Sequence, residues 1–202
     1  MQHSFFYLVF KITTQPTLET KHMIGSDLVD RCIANDRKAQ MALYKQYCEG
    51  MFCVAIRYVN RQDEAEDLVQ EAFIRAFKKI EQFRGDVTFG AWLKRIVINK
   101  CLDYLKKKKE RSISIDEHEL QIAEEPEWTV EEPVSVEEVK KAMKSLPEKY
   151  QYVVQLYLLE GYDHKEIAEI LDLSPTASRT RLMRGKGYLR ALLTEKKHET
   201  GS

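Results

Sequence analysis

The chain has 202 residues, enough for one medium domain or two small ones, with 44% hydrophobic and 32% charged residues. Its formal net charge is zero, which hides a segregation: Lys94–Arg111 and Arg179–Lys197 are basic, whereas 116–138 contains no Lys or Arg. A nucleic-acid partner is therefore not excluded by charge. Cys32, Cys48, Cys53 and Cys101 form no CxxC pair and have no histidine at ligand spacing, which argues against a metal or redox centre. Cys53 and Cys101 lie among apolar neighbours and are expected to be buried thiols.

Residues 1–25 do not fit the helical pattern of the rest of the chain. The apolar run Phe5–Phe10 is too short to span a membrane, and it lacks a basic leader or a small-residue cleavage site. Translation is expected to start at Met23; otherwise residues 1–25 are expected to be a poorly ordered extension, with an edge strand as the remaining alternative. Ser26 or Asp27 is expected to cap a short helix through Leu28, Val29, Cys32 and Ile33. A longer helix is predicted over Asp36–Val59, with Leu43, Tyr47, Met51, Ala55 and Val59 along one face.

Asp63-Glu64-Ala65-Glu66 has the spacing of a capping box, and Leu68, Val69, Ala72, Phe73, Ala76, Phe77 and Ile80 then form an apolar stripe. Asp67, Gln70 and Glu71 share the opposite face. Phe83-Arg84-Gly85-Asp86 breaks the pattern, Gly85 allowing a turn. Thr88 caps a second helix with the stripe Phe89, Trp92, Leu93, Ile96, Val97, Cys101 and Leu105. Its outward face carries Lys94, Arg95, Asn99 and Lys100, then Lys106, Lys107, Lys108, Lys109 and Arg111. An acidic and a basic helix surface thus sit side by side, as a protein with two partners requires. Residues 26–111 are expected to form one compact all-α domain.

Residues 112–134 read as a linker, rich in Glu and interrupted by Pro126 and Pro133. Solvation is the simpler account of its charge; mimicry of nucleic acid is the sharper one, and Trp128 is a candidate anchor to a partner. A second domain, 135–194, opens with the capping box Ser135-Val136-Glu137-Glu138. Pro147 fits a helix's first turn, and the helix after it ends with Gly161 as its C′ residue. Asp163 to Glu166 caps a short helix. Ser174-Pro175 opens another by the N-cap and first-turn proline rule. Helix, tight turn and helix at this spacing make a helix-turn-helix, whose second helix enters the DNA major groove. On that helix Ser178, Leu182, Gly185 and Leu189 should face the core. Thr176, Arg179, Thr180, Met183 and Arg184 should face outward, where Arg can pair with guanine or phosphate and Thr or Met can touch a thymine methyl. A short disordered tail, 195–202, is expected to follow.

The stretches 63–73, Phe83-Arg84-Gly85-Asp86, Phe89–Ile96 and Asn99 closely resemble region 2 of the bacterial extracytoplasmic-function (ECF) sigma factors, a group of the sigma-70 family. Leu146-Pro147-Glu148-Lys149-Tyr150 to about Leu193 resembles region 4. The resemblance implies an all-α fold with two small helical domains joined by a flexible linker, and a non-enzymatic factor in the cytoplasm. It binds core RNA polymerase, recognises two promoter elements and helps open the DNA. It further implies that Asp67, Gln70 and Glu71 dock the polymerase. Phe83, Arg84, Arg95, Ile96, Asn99 and Lys100 would capture a flipped base of the −10 element, although Phe83 alone fits a core residue equally well. Lys106, Lys107, Lys108 and Lys109 suit sequence-blind phosphate contact. Thr176, Arg179, Thr180, Met183 and Arg184 would read the −35 element. The linker would run through the RNA exit path, and an anti-sigma factor is an implied partner; no membrane insertion and no cofactor are implied.

Three positions depart from the family pattern: Ser178 replaces an apolar residue, Gly185 replaces Ala, and Gly187 sits where a basic residue is frequent. Each interior Gly costs a helix about 1 kcal/mol relative to Ala, so the far part of this helix is expected to be less stable. The competing function is a stand-alone helix-turn-helix regulator, whose first domain would need a ligand pocket or phospho-acceptor. An enzyme finds little support, because capping accounts for Asp163, His164 and Glu166, and no nucleophile–base pair or phosphate loop is present.

Overall fold

The computed structural model describes residues 27–111 and 134–200, with side chains for 27–109 and 134–194. The expected N-terminal extension with its Met23 start, the acidic linker and Trp128 fall outside the described residues. The chain divides into two compact units, and all the regular structure described is helical.

In the first unit α1 covers residues 27–33, α2 Arg37–Val59, α3 Gln62–Lys78 and α4 Phe89–Arg111, with a single 3-10 turn Ile80–Gln82 after α3. Asp36 caps α2 by accepting hydrogen bonds from the Lys38 and Ala39 amides, and its carboxylate also holds Arg31 at 2.7 Å. Asn60, left-handed at φ 60°, ends the helix. The three long helices pack pairwise. Leu43 and Ala55 of α2, Ala65, Ala72 and Phe73 of α3, and Leu93, Val97 and Cys101 of α4 are almost wholly buried. Each large apolar side chain so removed from water contributes about 1.5–3 kcal/mol. Ile98, off the expected stripe, is equally buried, because α4 touches both α2 and α3 and so hides a wider arc than a helix with one neighbour.

Three local expectations are corrected. Asp63 does not cap α3: the helix already starts at Gln62, and Arg61, without a side-chain cap bond, occupies the cap position. Asp63 instead sits in the first turn, where the Arg61 guanidinium at 2.6 Å holds its carboxyl down at about 2. Its expected partner Glu66 is taken by Gln62, 3.0 Å away. Cys53 is exposed rather than buried, since its sequence neighbours point elsewhere on the helix; Cys101 is buried, which pushes its thiol up to about 12. Ile33, expected on the packed side of α1, is 38% exposed.

The second unit comprises α5 Val136–Lys144, α6 Glu148–Leu158, α7 His164–Leu171 and α8 Pro175–Thr200. Both predicted capping boxes are present, Ser135 with Glu138 and Asp163 with Glu166. Gly161, at φ 78°, is left-handed but lies one residue later than expected, beyond the cap at Leu159. Helix α8 is the centre of the unit, packing on α5, α6 and α7. Leu182, Leu189 and Ser178 are buried along it, as the periodicity requires. It runs without a break through Gly185 and Gly187. Gly185 has a positive reason to be there: a Cβ would meet Val154 Cγ2 at 2.5 Å and Tyr150 Cβ at 3.3 Å, so the missing side chain lets α8 lie close on α6. The tail expected to be disordered from residue 195 continues α8 to Thr200. No helix breaker occurs before Gly201.

Candidate polymerase and DNA interfaces

In the second unit, Asp172 (φ 53°) makes the tight turn between α7 and α8, with the Leu173 amide donating back to the Ala168 carbonyl at 2.9 Å. Ser174 Oγ accepts from the Ala177 amide at 3.1 Å, and Pro175 follows at the first helical position. The turn and the start of α8 are thereby fixed by local bonds. Thr176, Arg179, Thr180, Met183 and Arg184 are all exposed, Met183 at 52%.

Ser178, the departure from an apolar residue, is fully buried and lies 2.9 Å from His164 Nδ1. The His164 ring stacks on Tyr157, centroids 5.1 Å apart, and Lys186 lies over the same Tyr157 ring. Burial first, then the charge of Arg179, holds the His164 pKa below its ordinary 6.5. The imidazole thus joins the two helices of the motif through a polar contact.

In the first unit, Asp67, Gln70 and Glu71 are exposed on α3. Ile74, one turn further on, is 56% exposed on the same face and was not singled out from the sequence. Its apolar signal was readable, but the periodicity assigned apolar residues to the stripe and left this one as an exception. Glu71 is not free: Lys100 of α4 reaches its carboxylate at 2.7 Å. Glu64, nearer the start of α3, takes Lys108 at 2.8 Å, and that contact leads the causes that lower the Glu64 pKa. Lys108 also lies over the Tyr104 ring. The acidic and basic surfaces therefore touch, through one residue assigned to polymerase with one assigned to DNA, and through a lysine assigned to phosphate.

Gly85, at φ 79°, turns the loop before α4, and Thr88 Oγ1 accepts from the Ala91 amide at 3.2 Å to start that helix. Phe83 is half-buried and packs its ring on Phe89 at 5.8 Å and on Trp92 at 5.5 Å. Tyr47 of α2 closes the cluster against Phe89 at 5.5 Å. Arg84 is exposed beside it. Arg95 and Ile96 follow Trp92 by one helical turn, and Asn99 and Lys100 follow them by another, all partly exposed. Further along α4, Lys106, Lys107 and Lys109 are exposed.

Comparison with known proteins places this architecture. Sigma-70 region 2 matches residues 43–111, and Sigma-70 region 4 matches 136–189. The ECF RNA polymerase sigma-E factor of Haemophilus influenzae is 32% identical over 174 residues, covering 79% of this chain and 89% of its own. The chain belongs to the ECF group of the sigma-70 family. It is an RNA polymerase sigma factor, a transcription initiation factor, and nothing in the comparisons supports a stand-alone regulator. The sigma-E factor of Escherichia coli K12 is 31% identical over 170 residues, covering 88% of its length, and the sigma-H factor of Pseudomonas aeruginosa 29% over the same extent. Among solved structures, the Bartonella quintana sigma factor RpoE in complex with the anti-sigma factor NepR shares the fold at TM-score 0.55, with 21% identity over 76% of this chain and 96% of that one. CnrH in complex with the cytosolic domain of CnrY gives 0.53, with 21% identity over 85% and 97%. Among the described residues no helix is long and apolar enough to cross a membrane.

Proposed function

We propose that this sigma factor divides its work between the two units at the residues named above. Asp67, Gln70 and Glu71, with the exposed Ile74, dock core RNA polymerase, where charge complementarity steers association and the isoleucine adds apolar contact. Phe83, Arg84, Arg95, Ile96, Asn99 and Lys100 receive an unstacked base of the −10 element, the rings supplying a stacking platform and the polar groups its edge contacts. Lys106, Lys107, Lys108 and Lys109 hold phosphates, Lys108 in competition with Glu64. Thr176, Arg179, Thr180, Met183 and Arg184 read the −35 element from α8.

The observation that carries the assignment is the orientation of α8: the side chains suited to base contact are all exposed while the opposite side of the same helix is buried. As the Bartonella quintana sigma factor RpoE is solved with the anti-sigma factor NepR, an anti-sigma factor is the expected regulator of this chain, and its work is non-catalytic and cytoplasmic, as for its sigma-factor relatives. The test is transcription by bacterial core polymerase loaded with the full chain. Replacing Arg179 and Arg184 with Ala should abolish promoter selection and leave polymerase binding unchanged. Equal loss of both would make the helix structural.

A further inference from the structure

Three helices of the second unit meet at His164. The imidazole stands on the first residue of α7, half-buried, with Nδ1 2.9 Å from Ser178 Oγ of α8. Its ring stacks on Tyr157 of α6, centroids 5.1 Å apart. Ser178 is fully buried, and its amide donates to the Ser174 carbonyl at 3.0 Å, so the contact holds the opening turn of α8. The next residue is Arg179, exposed on the face assigned to DNA. Lys186, two turns beyond Arg179, lies over the Tyr157 ring, 5.6 Å from its centroid. The groups that face the imidazole are therefore Tyr157 from α6, Arg179 and Lys186 from α8, and Asp163 at the cap of α7. Two of them are cations. The one carboxylate already accepts the Lys165 and Glu166 amides.

The contact between His164 and Ser178 survives protonation, because a hydroxyl can donate to a bare ring nitrogen or accept from a protonated one. What protonation changes is charge: a third cation arises beside Arg179 and Lys186. A like charge at that place repels the Arg179 guanidinium from the position that Ser178 sets for it. It also adds to the phosphate attraction that every duplex shares. We propose that His164 is a positioning residue for promoter reading: uncharged, it fixes the opening turn of α8 under Arg179; protonated, it exchanges sequence preference for sequence-blind attraction to the duplex. The proposal rests on the assignment of α8 to the −35 element. It adds to that assignment a residue of α7 that touches no base and acts through Ser178 and Arg179.

The test uses the full chain bound to bacterial core polymerase, with two labelled duplexes: one selected for binding, one with its −35 segment scrambled. Affinities are measured from about pH 8 to about pH 5.5, across the range in which an imidazole charges. In the parent, acid should tighten the scrambled duplex by up to roughly fivefold at about 0.15 M salt, the worth of one phosphate contact, and narrow the ratio between the duplexes. His164→Gln keeps a polar group for Ser178 but never charges. Its ratio should match the parent's at high pH and should not narrow in acid. Ser178→Ala removes the tether, and should lower the ratio at every pH while the tightening in acid persists. The same pH profile in the parent and His164→Gln, or an unchanged ratio in Ser178→Ala, would overturn the role of His164; an intact Arg179→Ala effect would then spare the reading of α8. A ratio insensitive to Arg179→Ala would overturn the reading of α8 itself, and this proposal with it. Weakening of both duplexes alike in acid, with a thermal melt that begins at the assay temperature, would mean unfolding in place of a change of preference, and would also overturn it.

Discussion

The two units present their partner-facing residues in opposite ways. In the helix-turn-helix the frame is completed before any partner arrives: Asp163 and Ser174 cap their helices, Ser178 bonds His164, and Gly185 lets α8 close on α6. The side chains assigned to bases stand exposed on top of it. In the first unit the assigned residues are already in use inside the chain. Glu71 holds Lys100, Glu64 holds Lys108, and Phe83 lies against Phe89 and Trp92. A preformed surface binds without rearranging, whereas a self-paired one must exchange contacts when it binds. Under the proposed assignment, sequence reading is a task for the rigid surface, and docking and strand opening, which change shape, fall to the other.

The contrast can be broken hardest at Gly185. Gly185→Val places atoms inside the Val154 contact, and should destabilise the second unit by about 3 kcal/mol. Promoter selection should be lost and polymerase binding kept, as a thermal melt and a pull-down will show; a melt unchanged from the parent would mean the close approach is not needed. Phe83→Ala comes next. Losing the half-buried ring should cost roughly 1–2 kcal/mol in stability, less than a full core truncation. Permanganate footprinting should show a loss of strand opening much larger than the loss of duplex binding. If opening survives, Phe83 is a core residue and nothing more.

A pH titration sharpens the same comparison within the frame. His164 is held neutral in the folded state, so its contribution to stability is complete above its unfolded value near 6.5 and is lost as pH falls below it. Burial lowers its pKa most, then Arg179; Asp163 raises it, and Lys186 adds a smaller lowering. His164→Gln should flatten the stability of the second unit between about pH 5 and 7, leaving carboxylates such as Asp163 to titrate lower down. The smallest effect belongs to Glu71→Gln. The pair with Lys100 is exposed on the Glu71 side, at 59%, so its loss should change stability by no more than about 1 kcal/mol. Lys100, freed, should raise the affinity of the chain for single-stranded DNA and steepen its salt dependence. No change in either would mean the ion pair does not compete with DNA.

Much of this arrangement was legible in the sequence, for an identifiable reason. Caps and stripes act within one helical turn, so Thr88, Ser135, Asp163 and Ser174 declared the helix starts, and the buried face of α8 was readable from Ser178, Leu182, Gly185 and Leu189. What stayed hidden depends on how helices cross. Glu71 and Lys100 are 29 residues apart, Glu64 and Lys108 are 44 apart, and no local spacing announces either pair. The same limit hid the wide buried arc of α4 at Ile98 and the use of Gly185, which composition reads only as a weakness in a helix. Cys53 defeats the sequence reading because apolar neighbours in sequence are not neighbours on a helix. Asp63 defeats it because Arg61 competes for the carboxylate that would otherwise have capped.

The division of labour is tested most directly by co-purifying core RNA polymerase with the parent chain, with the Asp67→Lys, Glu71→Lys double variant, and with the Arg179→Ala, Arg184→Ala double variant. The charge reversal should lose the polymerase by at least roughly tenfold while melting like the parent, and the α8 variant should retain it in full. Retention by the reversed chain, or equal loss in both variants, would contradict the assignment of docking to α3 and of DNA reading to α8.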